Sequence, residues 1–337
     1  KFPLLMQTEK KMRIGIIGAG VIANKVAGIL SERWQTMLYA VASRDISRAQ
    51  AFASRHGMPK AYGSYEELVS DPDIDIVYVA TPHSHHYAHA RLALSHGKHV
   101  ICEKSFTANA KEAKTLVDMA QAHGLFLMEA LCTRFMPITR KIEEVVKSGI
   151  VGQPRLLNAS LCWNMPDIER IKRADLCGGA LLDLGVYCLN FADMCMGGDI
   201  VSINSCAVKG GENVDFNTAA TILYANGSIA SVQCSACCCH KGGIIICENG
   251  SIEVNAVNLP RQIKVMDKAG TVIEEYTAPD SDLSGYELEF LAAKEAIEHG
   301  WTEHPIMPHS TTLRIMQMMD TIRHQNQIIF PNDSRSL

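Results

Sequence analysis

The sequence predicts an α/β chain in two parts: a doubly wound parallel sheet over residues 12–130, then an α+β part over residues 131–337 with an open, mostly antiparallel sheet. Three observations predict this. Short apolar runs alternate with helical stretches as far as Ala130. After Ala130 the alternation stops, and residues 200–276 read as consecutive strands. The 337 residues also suit about two domains, at roughly 100–200 residues each.

The elements follow in order. Residues 13–17 form an apolar run, stopped by Gly18-Ala19-Gly20, and residues 24–32 read as a helix. Strand and helix signals repeat at 37–42 and 46–56, at 74–80 and 87–95, and at 99–102 and 110–123. Residues 125–128 add a last strand. Apolar runs this short suit strands buried on both faces, joined by right-handed crossovers. In the second part, residues 137–147 read as an amphipathic helix, 155–163 as a strand and 180–196 as a helix after Gly178-Gly179. Asn226-Gly227 and Asn249-Gly250 mark hairpin turns. Residues 287–299 and 311–325 are late helices, with Met316, Met318 and Met319 as core.

Composition narrows the function classes. Lys and Arg total 32 against 36 Asp and Glu, a formal net charge of −4, which argues against nucleic-acid binding. No apolar run reaches ~18 residues, so no membrane span is expected. The first eleven residues hold only a short apolar patch at 2–6, less than the ~7–15 residues of a secretory signal. Twelve cysteines in a chain this long read as reduced, mostly buried small hydrophobes of a cytoplasmic protein. The run Cys234-Ser-Ala-Cys237-Cys238-Cys239-His240 lacks a second Cys-x-x-Cys. As a strand it would point neighbouring thiols to opposite faces, so no metal site is expected and the thiols read as buried or interfacial. No metal is expected at His83, His85 and His86 either.

The turn Gly18-Ala19-Gly20-Val21-Ile22-Ala23 lies between a strand and a helix, the context of a dinucleotide fingerprint. Gly18 permits the tight turn, Gly20 admits a pyrophosphate, and Ala23 holds the helix-packing position. Free N–H groups at Val21 and Ile22 would face the phosphates. At the end of the second strand, Ser43 takes the place of the acid that would hold an NAD ribose, and Arg44 follows. Ser43 and Arg44 suit a 2′-phosphate, so NADP is favoured, with NAD possible.

His99-Val100-Ile101-Cys102-Glu103-Lys104 ends a strand of this sheet, where open α/β sheets bind ligands. The Glu103-Lys104 pair resembles the Glu-Lys-Pro signature of the glucose–fructose oxidoreductase, inositol dehydrogenase and rhizopine-catabolism oxidoreductase family. Thr81-Pro82-His83-Ser84-His85-His86 resembles its Thr-Pro-Asn-x-x-His loop, and the stretch from Gly178 to Tyr187 its second motif. Pro59-Lys60-Ala61-Tyr62-Gly63-Ser64-Tyr65-Glu66-Glu67-Leu68, Glu129-Ala130, Thr133-Arg134-Phe135 and Tyr187 are most similar to the branch of dimeric dihydrodiol and NADP-dependent D-xylose dehydrogenases. The resemblance runs from Met12 onward. Two residues depart from it: His83 for Asn, and Ser105 for Pro. A non-proline cis bond costs ~2.5–4 kcal/mol, so a trans Lys104–Ser105 bond and a slightly moved Lys104 are expected.

The resemblance implies a Rossmann domain and hydride transfer between a nicotinamide and a carbinol carbon of a sugar, polyol or vicinal diol. It implies Lys104 and Tyr187 as catalytic residues. Tyr187 is assigned as proton acceptor, favoured as tyrosinate by a nearby ammonium, and Lys104 as hydrogen-bond donor; the opposite assignment stays open. Asp183, four residues before Tyr187, shares its face on a helix and would bind a neighbouring substrate hydroxyl, or be satisfied by local N–H groups. Thr81, Pro82, His86 and Glu103 fall on the cofactor side; Arg134, Trp163 and Arg170 are candidate substrate contacts. A homodimer through the second sheet would cover its open face. Rivals within the family are a cofactor-retaining redox-assisted glycosidase, an oxidase of a glycoside ring hydroxyl, and a non-enzymatic cofactor-sensing regulator.

Overall fold

Two β-sheets organise the chain. The computed structural model describes residues 12–34, 37–280 and 283–335. The apolar patch at 2–6 lies outside them.

The first sheet is built from β1 (Ile14–Ile17), β2 (Leu38–Ala42), β3 (Lys60–Tyr62), β4 (Ile76–Val79), β5 (His99–Glu103) and β6 (Leu127–Ala130). All pairings are parallel, in the order β3-β2-β1-β4-β5-β6. β1, β4 and β6 are buried at every position, as double-faced burial of their apolar runs requires. The crossovers are α1 (Val21–Arg33), α2 (Ile46–His56), α3 (Tyr65–Ser70), α4 (His83–Ser95) and α5 (Ala110–His123). The chain runs outward in both directions from β1 and β4, so a crevice opens beyond their carboxyl ends. The sequence reading did not separate β3 and α3. Three residues are too short for a strand period, but Ser64 caps Glu67 N at 3.1 Å, a Ser-x-x-Glu start signal.

A 3-10 turn, Cys132–Phe135, leads to α6 (Pro137–Ser148) and the long β7 (Pro154–Cys162). After the short α7 (Glu169–Lys172), the stretch read as one helix divides into a π-helical turn, Leu181–Gly185, and α8 (Val186–Met196). The stretch Ala174–Met196 is long and apolar enough to span a bilayer by composition; 83% of its most apolar window is buried, so core packing accounts for it.

The second sheet then adds β8 (Ile200–Gly210), β9 (Val214–Tyr224), β10 (Ile229–Ser235), β11 (His240–Cys247), β12 (Gly250–Val254), β13 (Gln262–Asp267) and β14 (Val272–Thr277). Its order is β14-β13-β12-β11-β7-β10-β9-β8. β7 runs parallel to β10 and antiparallel to β11, so the sheet is mixed at that one seam. Leu157, Ala159, Leu161, Val232, Ile245 and Ile252 alternate onto the inner face and are buried, with α8 packed against β7 and β10. The outer face carries no helix among the described residues.

α9 (Gly285–Glu298) and α10 (His309–Gln325) return to the first sheet, against α1 and α5. Leu127 N donates to Thr302 O at 3.0 Å, and His309 Nε2 bonds Leu127 O at 2.9 Å. Met316, Met318 and Met319 are core, as read.

Candidate active site

A cleft of about 370 Å³ opens at the carboxyl ends of β1, β4 and β5, and the π-helical turn, α7 and α9 wall its far side. Gly18 leaves β1 with φ +105°, and its N–H bonds Ala42 O at 3.0 Å. A Cβ there would stand 2.8 Å from Ala80 O, so only glycine fits. Gly20 differs: its φ is −87°, and a Cβ would meet nothing within 4 Å. α1 starts there without a side-chain cap and without an acid in its first turn. Val21 is 90% exposed. An uncapped 13-residue helix, open space over Gly20 and a bare apolar side chain together fit a dinucleotide pyrophosphate. Val21, Ile22, Thr81 and Pro82 line the cleft beside that start.

Ser43 and Arg44 lie outside the cleft lining, at the end of β2. Ser43 is buried and Arg44 exposed. Asp45 caps α2, accepting from Ser47 N at 2.9 Å and Ser47 Oγ at 2.6 Å, so its carboxylate is committed to the helix.

Lys104 extends from the end of β5. Its Nζ donates to Asp183 O at 2.7 Å, approaches Asp183 Oδ1 at 3.4 Å, and sits 4.9 Å from the Tyr187 ring centroid. Arg170 grips the Asp183 carboxylate with two bonds, at 2.9 and 3.0 Å. Burial opposes the Asp183 charge, but the Lys104 and Arg170 cations outweigh it and hold the carboxyl below its ordinary range. Asp183 therefore bridges two cations instead of bonding helix-start N–H groups. The π-helical turn also replaces the regular α-helical register assumed for its spacing from Tyr187. Burial pushes the Tyr187 phenol well above its ordinary range. The Lys104 ammonium lies over the ring face, and without the cofactor burial works against the expected tyrosinate.

The Lys104–Ser105 bond is cis, against the expected trans form. Ser105 is fully buried and held on two sides: its Oγ donates to Leu182 O at 2.6 Å, and its carbonyl oxygen lies 2.9 Å from His86 Nδ1. Glu103 lines the cleft; its carboxylate accepts from the Tyr78 hydroxyl, and burial raises its pKa.

Two expectations fail. His86 does not reach the cleft: it is fully buried, with Nε2 2.7 Å from Thr81 O and Nδ1 against the Ser105 and Phe106 carbonyls. Burial pushes its pKa down to about 4, against the pull of those carbonyls. It braces the loop that carries Thr81. Arg134 also points elsewhere, donating to Asn190 Oδ1 at 2.5 Å and Asp193 Oδ2 at 2.8 Å on α8. Buried acceptors on α8 capture it. Trp163 and Arg170 do line the cleft.

The reading missed His83, Lys25 and Tyr286 as lining residues. His83 Nδ1 bonds Cys177 O at 3.0 Å, and burial pushes its pKa down to about 3, so it stays neutral. Lys25 Nζ donates to Tyr286 Oη at 3.2 Å across 261 residues of sequence. The Thr81 motif put His83 in view; nothing local foretold the meeting of α1 with α9.

Comparison with known proteins agrees with this geometry. Residues 12–131 match the oxidoreductase family with an NAD-binding Rossmann fold, and residues 139–253 match the GFO/IDH/MocA C-terminal domain. The chain is 32% identical to trans-1,2-dihydrobenzene-1,2-diol dehydrogenase of Bos taurus, over 96% of this chain and 99% of that protein. The Homo sapiens protein of the same name is 31% identical over the same shares. Among solved structures, a 3-ketoreductase from Actinomadura kijaniata, in complex with NADP and TDP-benzene, is similar with TM-score 0.85 and 25% identity. That match covers 94% of this chain and 98% of the other. The chain belongs to the GFO/IDH/MocA oxidoreductase family.

Proposed function

We propose that this chain is an NADP-dependent dehydrogenase of a vicinal diol, sugar or polyol, with residues 12–130 holding the dinucleotide and residues 131–337 the substrate. One observation carries the reading: Lys104, Asp183 and Tyr187 converge in the cleft that the uncapped start of α1 also enters. Gly18, Gly20, Val21 and Ile22 would hold the pyrophosphate, Thr81, Pro82 and Glu103 the nicotinamide side, and Ser43 and Arg44 the 2′-phosphate. Asp45, the acid nearest Ser43 in sequence, is committed to capping α2, which favours NADP over NAD. When bound, the dinucleotide supplies the hydride acceptor.

The chain's own groups handle the proton. Lys104 Nζ has three N–H donors; two are turned to Asp183, which leaves one for the reacting oxygen. Arg170 and Asp183 fix that ammonium in place. Tyr187 Oη takes the carbinol proton in oxidation and returns it in reduction. Because burial raises the phenol, oxidation should speed up with rising alkaline pH, while carbonyl reduction, which uses the phenol, stays level at neutral pH. Trp163 supplies an apolar wall at the mouth. The 3-ketoreductase and the diol dehydrogenases act on carbon–oxygen groups of this class, which supports the assignment.

The second sheet supports a homodimer. Leu223, Ile229, Leu156 and Ile246 are register neighbours across four strands of its outer face, and Leu156 is 45% exposed. A second copy would cover that stripe.

The test is reduced-nicotinamide absorbance with NADP and with NAD, across a panel of vicinal diols, aldoses and polyols. The expected result is turnover with NADP. Turnover with NAD alone overturns the Arg44 argument; no turnover with either, on any member, overturns the dehydrogenase reading.

A further inference from the structure

The cysteine run, read as buried or interfacial thiols, divides between the end of a strand and a loop. Cys234 is buried on β10, but Cys237, Cys238 and Cys239 are exposed on the connection from β10 to β11. That connection has an unusual path. Cys162, the last residue of β7, pairs with Ser235 of β10 on one side and His240 of β11 on the other. Residues 236–239 therefore cross the end of β7, a span of about 10 Å between strands two apart.

They cross on the open face. Leu156, Asn158 and Ser160 share that face of β7 by the two-residue period, and Leu156 and Asn158 are exposed. Cys162 continues the series yet is only 7% exposed. The crossing loop covers it. The loop is tied down by hydrogen bonds: Trp163 N donates to Ser235 O at 3.0 Å, Met165 N to Ala236 O at 2.8 Å, and Cys237 N to Ser235 Oγ at 3.0 Å. Of the three exposed thiols, Cys238 stands in the middle of the crossing, between Cys237 and Cys239, and it acts on Cys162 more strongly than Cys239 does.

We infer that Cys162 and Cys238 form a reversible dithiol–disulfide pair, oxidised by a low-molecular-weight disulfide. The exposed Cys238 thiolate attacks the small disulfide, forming a mixed disulfide and expelling one thiolate. Cys162 then gives up its proton, attacks Cys238 Sγ and expels the second thiolate. Two protein thiols are oxidised by two electrons, and the small disulfide is reduced to two thiols. The order follows access: Cys238 is exposed and Cys162 is buried. Cys162 precedes Trp163, so the bridge fastens the loop at the mouth of the cleft. The apolar stripe at Leu156 lies about 20 Å away along β7.

The experiment treats the full chain with oxidised glutathione, blocks remaining thiols with N-ethylmaleimide, and maps disulfide peptides by mass spectrometry. The expected result is a Cys162–Cys238 bridge, reversed by dithiothreitol, retained in Cys237→Ser and Cys239→Ser, and lost in Cys238→Ser. Oxidation should also shift tryptophan emission, and Trp163→Phe should abolish that shift. A glutathione adduct that persists on Cys238 while Cys162 stays alkylatable overturns the inference, as does a bridge through Cys237 or Cys239, or no loss of thiols. The mapping needs no turnover, so it stands or fails apart from the dehydrogenase reading.

Discussion

Replacing Gly20 by alanine separates folding from cofactor binding. Gly20 has φ −87° and ψ −169°, which any residue adopts, and the added methyl meets no protein atom within 4 Å. The unfolded chain loses about 0.4–1 kcal/mol of conformational freedom, which favours the variant. Alanine is a poorer helix cap than glycine by a similar amount, roughly 0.5–1 kcal/mol, so the two effects nearly cancel. Stability without cofactor should therefore stay within about 1 kcal/mol of the parent. The methyl instead fills the space where a pyrophosphate approaches the backbone. Overpacking a close contact costs about 1–3 kcal/mol, which weakens NADPH binding about 5- to 150-fold. Gly18→Ala is the contrast: its Cβ would stand 2.8 Å from Ala80 O at φ +105°, so it should destabilise the fold itself. The assay pairs urea unfolding of the cofactor-free protein with NADPH fluorescence titration. NADPH affinity within twofold of the parent in Gly20→Ala would refute the reasoning, as would a large loss of stability.

Other outcomes follow from the same contacts. Arg44→Ala removes a charge-assisted contact of about 1.5–3 kcal/mol and should weaken NADP about 10- to 150-fold, leaving NAD affinity unchanged in parallel titrations. Arg134→Ala should cost about 3–5 kcal/mol of stability in denaturant titration, toward the lower end because Arg314 still pairs Asp193, with no change in substrate KM beyond that of a folded control. Asp183 sits below its ordinary value of 3.8, so its charge stabilises the fold above that pH and the contribution is lost as pH falls through the lower folded value. The stability gap between the parent and Asp183→Asn should be level above about pH 5 and close on acidification in unfolding curves. Leu156→Asp should convert the proposed dimer to a monomer in light scattering; a monomeric parent would remove the sheet-face assignment.

Local signals made much of the first sheet legible. α2 and α5 fell on their observed bounds because Asp45 and Asn109 cap their starts and Gly57 and Gly124 end them in left-handed backbone. The Gly18 turn was legible for the same reason, since strand, turn and helix are contiguous. Arg134 was misplaced because its partners, Asn190 and Asp193, lie more than fifty residues away on α8. Lys25 and Tyr286 meet only because α9 returns to α1. The π-helical turn under Asp183 has no composition signal of its own, and it alters the face that a regular helix assigns. The thiol loop was hidden by topology: β7 inserts between β10 and β11, and the crossing exists only once that order is known.

In the proposed reaction Lys104 serves the reacting oxygen in a cleft whose cofactor is held by other residues. The decisive measurement is NADP reduction by Lys104→Met on the best substrate, with NADPH affinity measured on the same preparation. Loss of a positioned proton-handling group should lower kcat about 10²–10⁴-fold, with NADPH affinity within a few-fold of the parent. Turnover at the parental rate in a variant that still binds NADPH would contradict it.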